Sequence, residues 1–521
     1  MQLIDLSIFK AYDIRGVYPS QINSEVVYKI AQAFVEFLLH TPPREEGGGE
    51  VIENDRLASK STMTPTNSPS QGGEGLRIVA GTDMRLCGEE FKQALIRAFV
   101  DAGVNVVDIG LVSTDQFYFA VHHLNADGGI IATASHNPKE YGGLKIVREK
   151  GMPISGDSGI YTIRDQVMSE KRKPVSLSAG RGGAKSEKPG TIKKVDITED
   201  YFNHVLSKFD ISKIKPLKIV ANANFGMANP AIEKLKDVLP VKFIKVLNDH
   251  LDGSFPKGRP DPLVPENRGE TIKAIKKLKP DLGVAWDADA DRCFFFDEKG
   301  EFVTPAYINA LLAEYYLKKY PHAKILHDTR VVRVIDYVVE KNGGVSIPTK
   351  AGHSFIKERM IKEQAIFGCE TSGHYYFKEN FYLDNGLMPF LAVLEILSNP
   401  SQPPLLQRGG DLSSPSFQKR GLEGVRKTFS EILKPLREKF YISEEINFQF
   451  TNQNILEDIR QKYQDAQIGD IDGYDFNYPN WRFNVRKSNT ENLLRLNVEA
   501  DSSELLKQKI DEVLSLINQL K

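Results

Sequence analysis

The feature that most constrains the fold is a switch of hydrophobic period inside one short stretch. LRIVAG (76–81) is an apolar run of strand length, and GEEFKQALIRAFVDAG (88–103) then repeats its apolar residues every three and four positions. NVVDIG (105–110) returns to the strand pattern. Strand, helix and strand in close succession predict a parallel pair with a helical crossover, hence a sheet covered by helices. The opening of this unit recurs as LKIVANAN (217–224) and AKILHDTR (323–330), each a strand entering a polar loop ahead of a helical pattern. The recurrence predicts several α/β domains of one kind, and 521 residues suffice for three or four of ordinary size.

Three stretches break the rhythm. Residues 41–73 and 399–421 are rich in Gly, Pro, Ser and Thr and are expected to be disordered insertions without a catalytic role. Residues 171–190 read as an interdomain linker. The chain then divides into units 1–170, 191–300, 301–440 and 441–521. The formal net charge of −1 gives no basic bias, which argues against nucleic acid as a partner. No apolar run reaches the ~18 residues of a membrane span. The first residues lack the basic-then-apolar pattern of a secretion signal. Cys87, Cys293 and Cys369 stand far apart, which disfavours disulfides or a zinc site and fits a reducing, cytoplasmic setting.

The most informative stretch is WDADADRCFFFDEKG (286–300). Asp287, Asp289 and Asp291 alternate after an apolar strand, so an extended backbone is expected to present them on one face. Three facing carboxylates repel unless a cation holds them, and hard oxygen ligands suit Mg²⁺ or Ca²⁺. A helix-loop-helix calcium loop is disfavoured: Glu298 falls at its twelfth position, but Arg292 stands at the sixth, where that loop turns on Gly. A Mg²⁺ site with a position open to a phosphate oxygen is the better reading.

Three further loops carry candidate chemistry. TASHNPKEYGG (133–143) sets Ser135 beside His136, which suits a hydrolase nucleophile, a phosphate carrier or an ordinary turn serine. No G-x-S-x-G elbow surrounds Ser135. RKSNTEN (486–492) is expected to place Arg486, Ser488, Asn489 and Thr490 in a polar turn that suits a phosphate site or a solvated loop between two strands equally, with Arg495 on the next strand either reaching that site or lying on its exposed face. FGCETSGHYYF (367–377) combines Glu370, Ser372 and His374, groups that suit sugar hydroxyls and proton transfer; GHSFIK (352–357) adds His353, for which capping or packing is equally expected. A serine, a metal site and a phosphate loop together point to phosphoryl transfer on a phosphosugar.

FKAYDIRG (9–16), TASHNP (133–138), DADADR (287–292), CETSGH (369–374) and RKSNTEN, in this order, resemble the motifs of the α-D-phosphohexomutase family, in its phosphomannomutase/phosphoglucomutase branch. LDGSFPKGRPDPLVPEN (251–267) and KAGHSFIK (350–357) match as well, so the resemblance spans the chain outside the insertions. It implies four domains around a central cleft: three related mixed α/β domains and a C-terminal α+β domain like the TATA-binding protein. In chain order these would carry the phosphoserine, the metal, the sugar-recognition loop and the phosphate loop. It implies a mutase interconverting hexose 6-phosphate and hexose 1-phosphate, of mannose and/or glucose, with hexose 1,6-bisphosphate as intermediate and activator. Ser135 would carry the phosphoryl group and, with Asp287, Asp289 and Asp291, ligate Mg²⁺. Arg15, His136, Lys145 and His374 would be catalytic helpers. Glu370 and Ser372 would bind sugar hydroxyls, and Arg486, Ser488, Asn489 and Thr490 the distal phosphate. Tyr12, Arg292, Arg330, His353 and Arg495 would add substrate contacts.

The chain departs from the family pattern in places. Ala288 and Ala290 stand where Gly is frequent, Cys369 where a glycine precedes the glutamate, and Asn492 where proline is common. GTDMRLCG (81–88) retains Arg85 but has Thr82 and Cys87 where arginine and serine are often found. A phosphoglucosamine mutase is disfavoured because Thr371 stands where that branch has Gln. A phosphoserine-type sugar phosphatase is disfavoured because it need not retain and rotate its product. The chain is expected to be a monomer or weak dimer.

Overall fold

The computed structural model describes residues 4–41, 75–169, 189–399, 427–488 and 493–520. The insertion at 41–73, the linker at 171–190 and the insertion at 399–421 therefore lie almost wholly outside the described residues, as do Asn489 and Thr490.

The described strands form four sheets. In the second, the strands are ordered Lys242–Leu247, Lys218–Asn222, Leu282–Trp286, Cys293–Phe296 and Phe302–Val303. The first three run parallel and the last two pair antiparallel. The third sheet repeats the arrangement with Val345–Thr349, Lys324–Asp328, Phe367–Cys369, Tyr375–Phe377 and Leu383–Asp384. The first sheet repeats it again with Asn105–Leu111, Arg77–Thr82, Gly128–Ala132, Tyr141–Arg148 and Ile14–Val17. The three segments singled out as recurring open at the equivalent strand of each sheet. A sixth strand, Ile192–Lys194, pairs parallel with Asn105–Leu111. It lies beyond the expected linker yet belongs to the first sheet, so that unit extends past position 190.

The expected helix at 88–103 spans Gly88–Asp101 and stops where Gly103 takes a φ of +81°. Its buried face carries Phe91, Leu95 and Phe99. The helix Ser24–His40 starts where Asn23 accepts hydrogen bonds from the Glu25 and Val26 amides, and it buries Val27, Ile30 and Phe34. One apolar core runs continuously through parts of the first three units.

The fourth sheet is wholly antiparallel, with Leu493–Ala500 and Trp481–Lys487 at its centre. The helices Ile455–Lys462 and Ser503–Leu520 close a separate core with it. The chain thus comprises three mixed α/β domains and an antiparallel C-terminal domain. Among the described residues, no helix is long and apolar enough to cross a membrane.

Candidate active site

Ser135, the three aspartates and the Glu370 loop all follow the third strand of their own sheet. Each leads into the first antiparallel strand, so one topological position is used three times.

Ser135 has a φ of +49° and is 2% exposed. Arg85 fixes this strained turn with four donated hydrogen bonds. Its Nη2 donates to the carbonyls of Ser135 at 2.5 Å and Asn137 at 2.6 Å, and its Nη1 to those of Pro138 at 2.9 Å and Tyr141 at 3.0 Å. Arg15 donates to Asn137 Oδ1 at 2.8 Å and is itself held by Asp13. Ser135 Oγ lies 3.1 Å from His136 Nδ1 and 3.3 Å from Asp287 Oδ2. Burial, followed by the charges of Arg292, Arg15 and Arg259, holds His136 well below its ordinary value. An imidazole facing arginines is poorly placed to become the imidazolium that a serine hydrolase needs.

The aspartates meet for a reason other than the expected one. The strand ends at Trp286, and residues 287–291 form a turn in which Ala290 has a φ of +62°. The carboxylates converge by folding around this turn, and not by alternating along an extended chain. One oxygen from each lies within 4.8 Å of the others, and all three residues are buried. Asp289 Oδ1 and Asp291 Oδ1 have no hydrogen-bond partner among the described residues. Lys145 Nζ lies 2.7 Å from Asp289 Oδ2 and 2.5 Å from Asp291 Oδ2. Burial opposes the lysine's charge, but the two carboxylates outweigh it and hold Lys145 well above its ordinary value. Burial and the charge of Asp289 push Asp291 up to about 6. Arg292 Nε donates to Asp287 Oδ2 at 2.7 Å. Buried carboxylate oxygens lacking donors, packed this closely, fit a hard divalent cation.

The second and third loops are stitched together. Arg292 and His374 form a bridge, and the Cys293 amide donates to the Gly373 carbonyl at 3.2 Å. Glu370 accepts from the Gly352 amide and the Tyr376 hydroxyl, each at 2.7 Å, and is buried. Ser372 Oγ lies 2.9 Å from His374 Nδ1, while His374 Nε2 lies 3.7 Å from Asp291 Oδ1. Burial and Arg292 hold His374 well below its ordinary value. His353 opens the helix His353–Glu363 and rests edge-on against Tyr12 at 6.0 Å. Burial and Lys357 push its ionisation down to about 3, and Tyr12 donates to the Ala351 carbonyl at 3.1 Å.

Arg486 lies within the strand Trp481–Lys487 and not in a turn as expected, because the ladder with Leu493–Ala500 runs on to Lys487. Ser488 follows, its amide donating to the Leu493 carbonyl at 2.8 Å. Arg486 stands directly opposite Arg495, and both pair with Glu445, at 2.7 Å and 3.3 Å. Burial and then Arg330 push Arg486 down to about 10. Arg330 Nε and Arg486 Nε have no partner among the described residues. Arg85, Tyr376 and Gly352 are positioning groups that residue type alone did not single out.

A serine turn, a carboxylate pocket, a Glu–Ser–His hairpin and an arginine cluster on this architecture define the α-D-phosphohexomutase class. Profiles of the phosphoglucomutase/phosphomannomutase α/β/α domains I, II and III match residues 50–173, 199–300 and 304–411, and the profile of the C-terminal domain matches 445–516. A phosphomannomutase of Vibrio cholerae is 39% identical, over 99% of both chains. A protein of Xanthomonas campestris described as phosphohexose mutases is 36% identical, over 98% of this chain and 99% of its own. The crystal structure of a phosphoglucomutase/phosphomannomutase family protein from Burkholderia thailandensis superposes with a TM-score of 0.77 at 28% identity, covering 99% of this chain and 98% of that one. The chain belongs to the phosphoglucomutase/phosphomannomutase family, and its activity is that of a phosphomannomutase-like phosphohexose mutase.

Proposed function

We propose that the chain interconverts hexose 1-phosphate and hexose 6-phosphate, of mannose and/or glucose, through phosphorylated Ser135 and a hexose 1,6-bisphosphate. The observation that carries this reading is Ser135 Oγ at 3.3 Å from Asp287 Oδ2, at the edge of a buried three-carboxylate pocket. Such a pocket suits a serine that carries a phosphoryl group beside a cation. Mg²⁺ held by Asp287, Asp289, Asp291 and an oxygen of phosphorylated Ser135 would neutralise charge on that group.

The chain's own residues do the rest. A sugar hydroxyl attacks the phosphorus as the bond to Ser135 Oγ breaks, and His374, beside Ser372, relays the hydroxyl proton toward the leaving Ser135 oxygen. Lys145 and Arg292 stabilise charge on the phosphoryl oxygens, while Arg15 and His136 hold the serine turn from the other side. Glu370 and Ser372 bind sugar hydroxyls. Arg330, Arg486, Arg495 and Ser488 hold the phosphate that does not react, with Asn489 and Thr490 next in sequence. Tyr12 and His353 pack against the sugar. The bisphosphate then turns over and returns its other phosphoryl group to Ser135, and free hexose 1,6-bisphosphate primes the serine as activator.

Initial rates on mannose 1-phosphate, glucose 1-phosphate and glucosamine 1-phosphate, each with a trace of bisphosphate, test the reading. Turnover of the first two is expected to exceed that of glucosamine 1-phosphate; the reverse order would favour a phosphoglucosamine mutase. Ser135→Ala is expected to lose on the order of a thousandfold in kcat while remaining folded. Near wild-type mutase rates in that variant would overturn the phosphoserine route.

A further inference from the structure

Asp289 is gripped from outside its own domain. The Thr114 hydroxyl donates to Asp289 Oδ2 at 2.6 Å, and the Thr114 amide donates to the Asp289 carbonyl at 3.1 Å. Lys145 Nζ reaches the same carboxylate oxygen at 2.7 Å and the Thr114 hydroxyl at 3.3 Å. Both Thr114 and Asp289 are wholly buried. Thr114 opens the helix Thr114–His123, so its amide is among those a helix leaves without an internal partner. The first amide of that helix thus meets the backbone of the acidic turn, while the first hydroxyl meets its carboxylate.

The start of this helix is itself immobilised. Ser113 and Gln116 form a reciprocal cap. Asp115 Oδ2 accepts from the Tyr201 hydroxyl at 2.5 Å, and the Tyr201 oxygen accepts from Asn385 Nδ2 at 2.9 Å. Tyr201 lies in the helix Thr198–Leu206 and Asn385 just beyond the last strand of the third sheet, so three units meet at one helix terminus. Thr114 and Lys145 both engage Oδ2 of Asp289, whereas Oδ1 has no hydrogen-bond partner among the described residues.

We propose that Thr114 is a positioning residue for the cation site: it occupies Asp289 Oδ2, leaves Oδ1 for the metal, and registers the acidic turn of the second unit against Ser135 of the first. This rests on the reading that the aspartates hold a divalent cation. Supporting groups that orient metal ligands commonly change affinity by about 10–100-fold when removed.

The test is Mn²⁺ titration by calorimetry of the full-length, metal-stripped protein, with kcat and KM measured alongside. Thr114→Val and the smaller Thr114→Ala are expected to bind Mn²⁺ at least about tenfold more weakly, with kcat lowered and KM for hexose phosphate unchanged. Thr114→Ser, which keeps the hydroxyl, is expected to stay within about threefold of wild type. Mn²⁺ affinity at the wild-type level in Thr114→Ala and Thr114→Val would overturn the proposal, even where their melting temperatures fall. Asp289→Ala separates the two layers: wild-type Mn²⁺ binding in that variant would overturn the cation reading itself, and the proposal with it.

Discussion

Each buried charge in the site is defined by the groups that oppose it. Arg85 is 4% exposed and contacts four carbonyls and Asp83. Arg85→Met would strand Asp83 in the interior and release the serine turn, an expected loss of about 3–5 kcal/mol in chemical denaturation. Arg85→Lys should restore only part, since one ammonium cannot reproduce a planar fork. Asp289→Ala is expected to lose most mutase activity, and its residual rate should be indifferent to a chelator; a residual rate that still falls with chelator would place the cation elsewhere. Residues of this kind were legible to different degrees. Ser135 and the aspartates stood out because polar groups break apolar runs there. The roles of Arg85 and Thr114 were not legible, because partners of theirs lie 50 and 175 positions away in the chain.

At the level of elements, the alternation of strands and helices was readable because a covered parallel sheet imposes both periods on the sequence. The curvature of the loops was not. Ala290 adopts a left-handed conformation that no local pattern announces, and the three aspartates converge around that bend where an extended chain would have set them along one face. Similarly, the polar character of Arg486 concealed a strand whose ladder continues across from Arg495. The hairpin of the third unit depends on Gly373, with a φ of +88° and a position where a Cβ would fall 2.7 Å from Phe294 Cε1. Gly373→Ala is expected to destabilise by about 1–3 kcal/mol and to raise KM more than it lowers kcat, because Glu370 and Ser372 share the turn. Steady-state kinetics beside thermal melts would check this; a fall in kcat at constant KM would detach the hairpin from sugar binding.

On the scale of the molecule, the fourth unit has its own core and docks through polar contacts. Arg482 donates to the Arg330 and Thr329 carbonyls, and Glu499 accepts from the Val332 and Arg333 amides. The first three units meet instead at a sandwich in which Phe381 lies 3.6 Å from the His122 ring and 4.8 Å from the His204 ring. Burial, with Lys150 beside one ring and Lys208 beside the other, pushes both histidines down to about 4. Their folded values lie below the ordinary 6.5, so the unfolded chain takes up these protons first as pH falls. Stability from this junction is full above about 6.5 and lost progressively toward 4. The melting temperature should fall over that window, and His122→Phe, which keeps the stacking and removes one titration, should flatten the slope; an unchanged slope would exclude the junction as its source.

The three sheets also differ in when they can be completed during synthesis. The second draws its strands from 218–303 and the third from 324–384, each an unbroken stretch. The first takes one edge from Ile14–Val17 and the other from Ile192–Lys194. Those edges pair with Tyr141–Arg148 and Asn105–Leu111, and such long-range pairings carry a larger loop-closure entropy and slow folding. A nascent chain released before residue 192 would hold the serine turn on a sheet lacking its last strand, so the unit that begins first has the longest wait for its final strand.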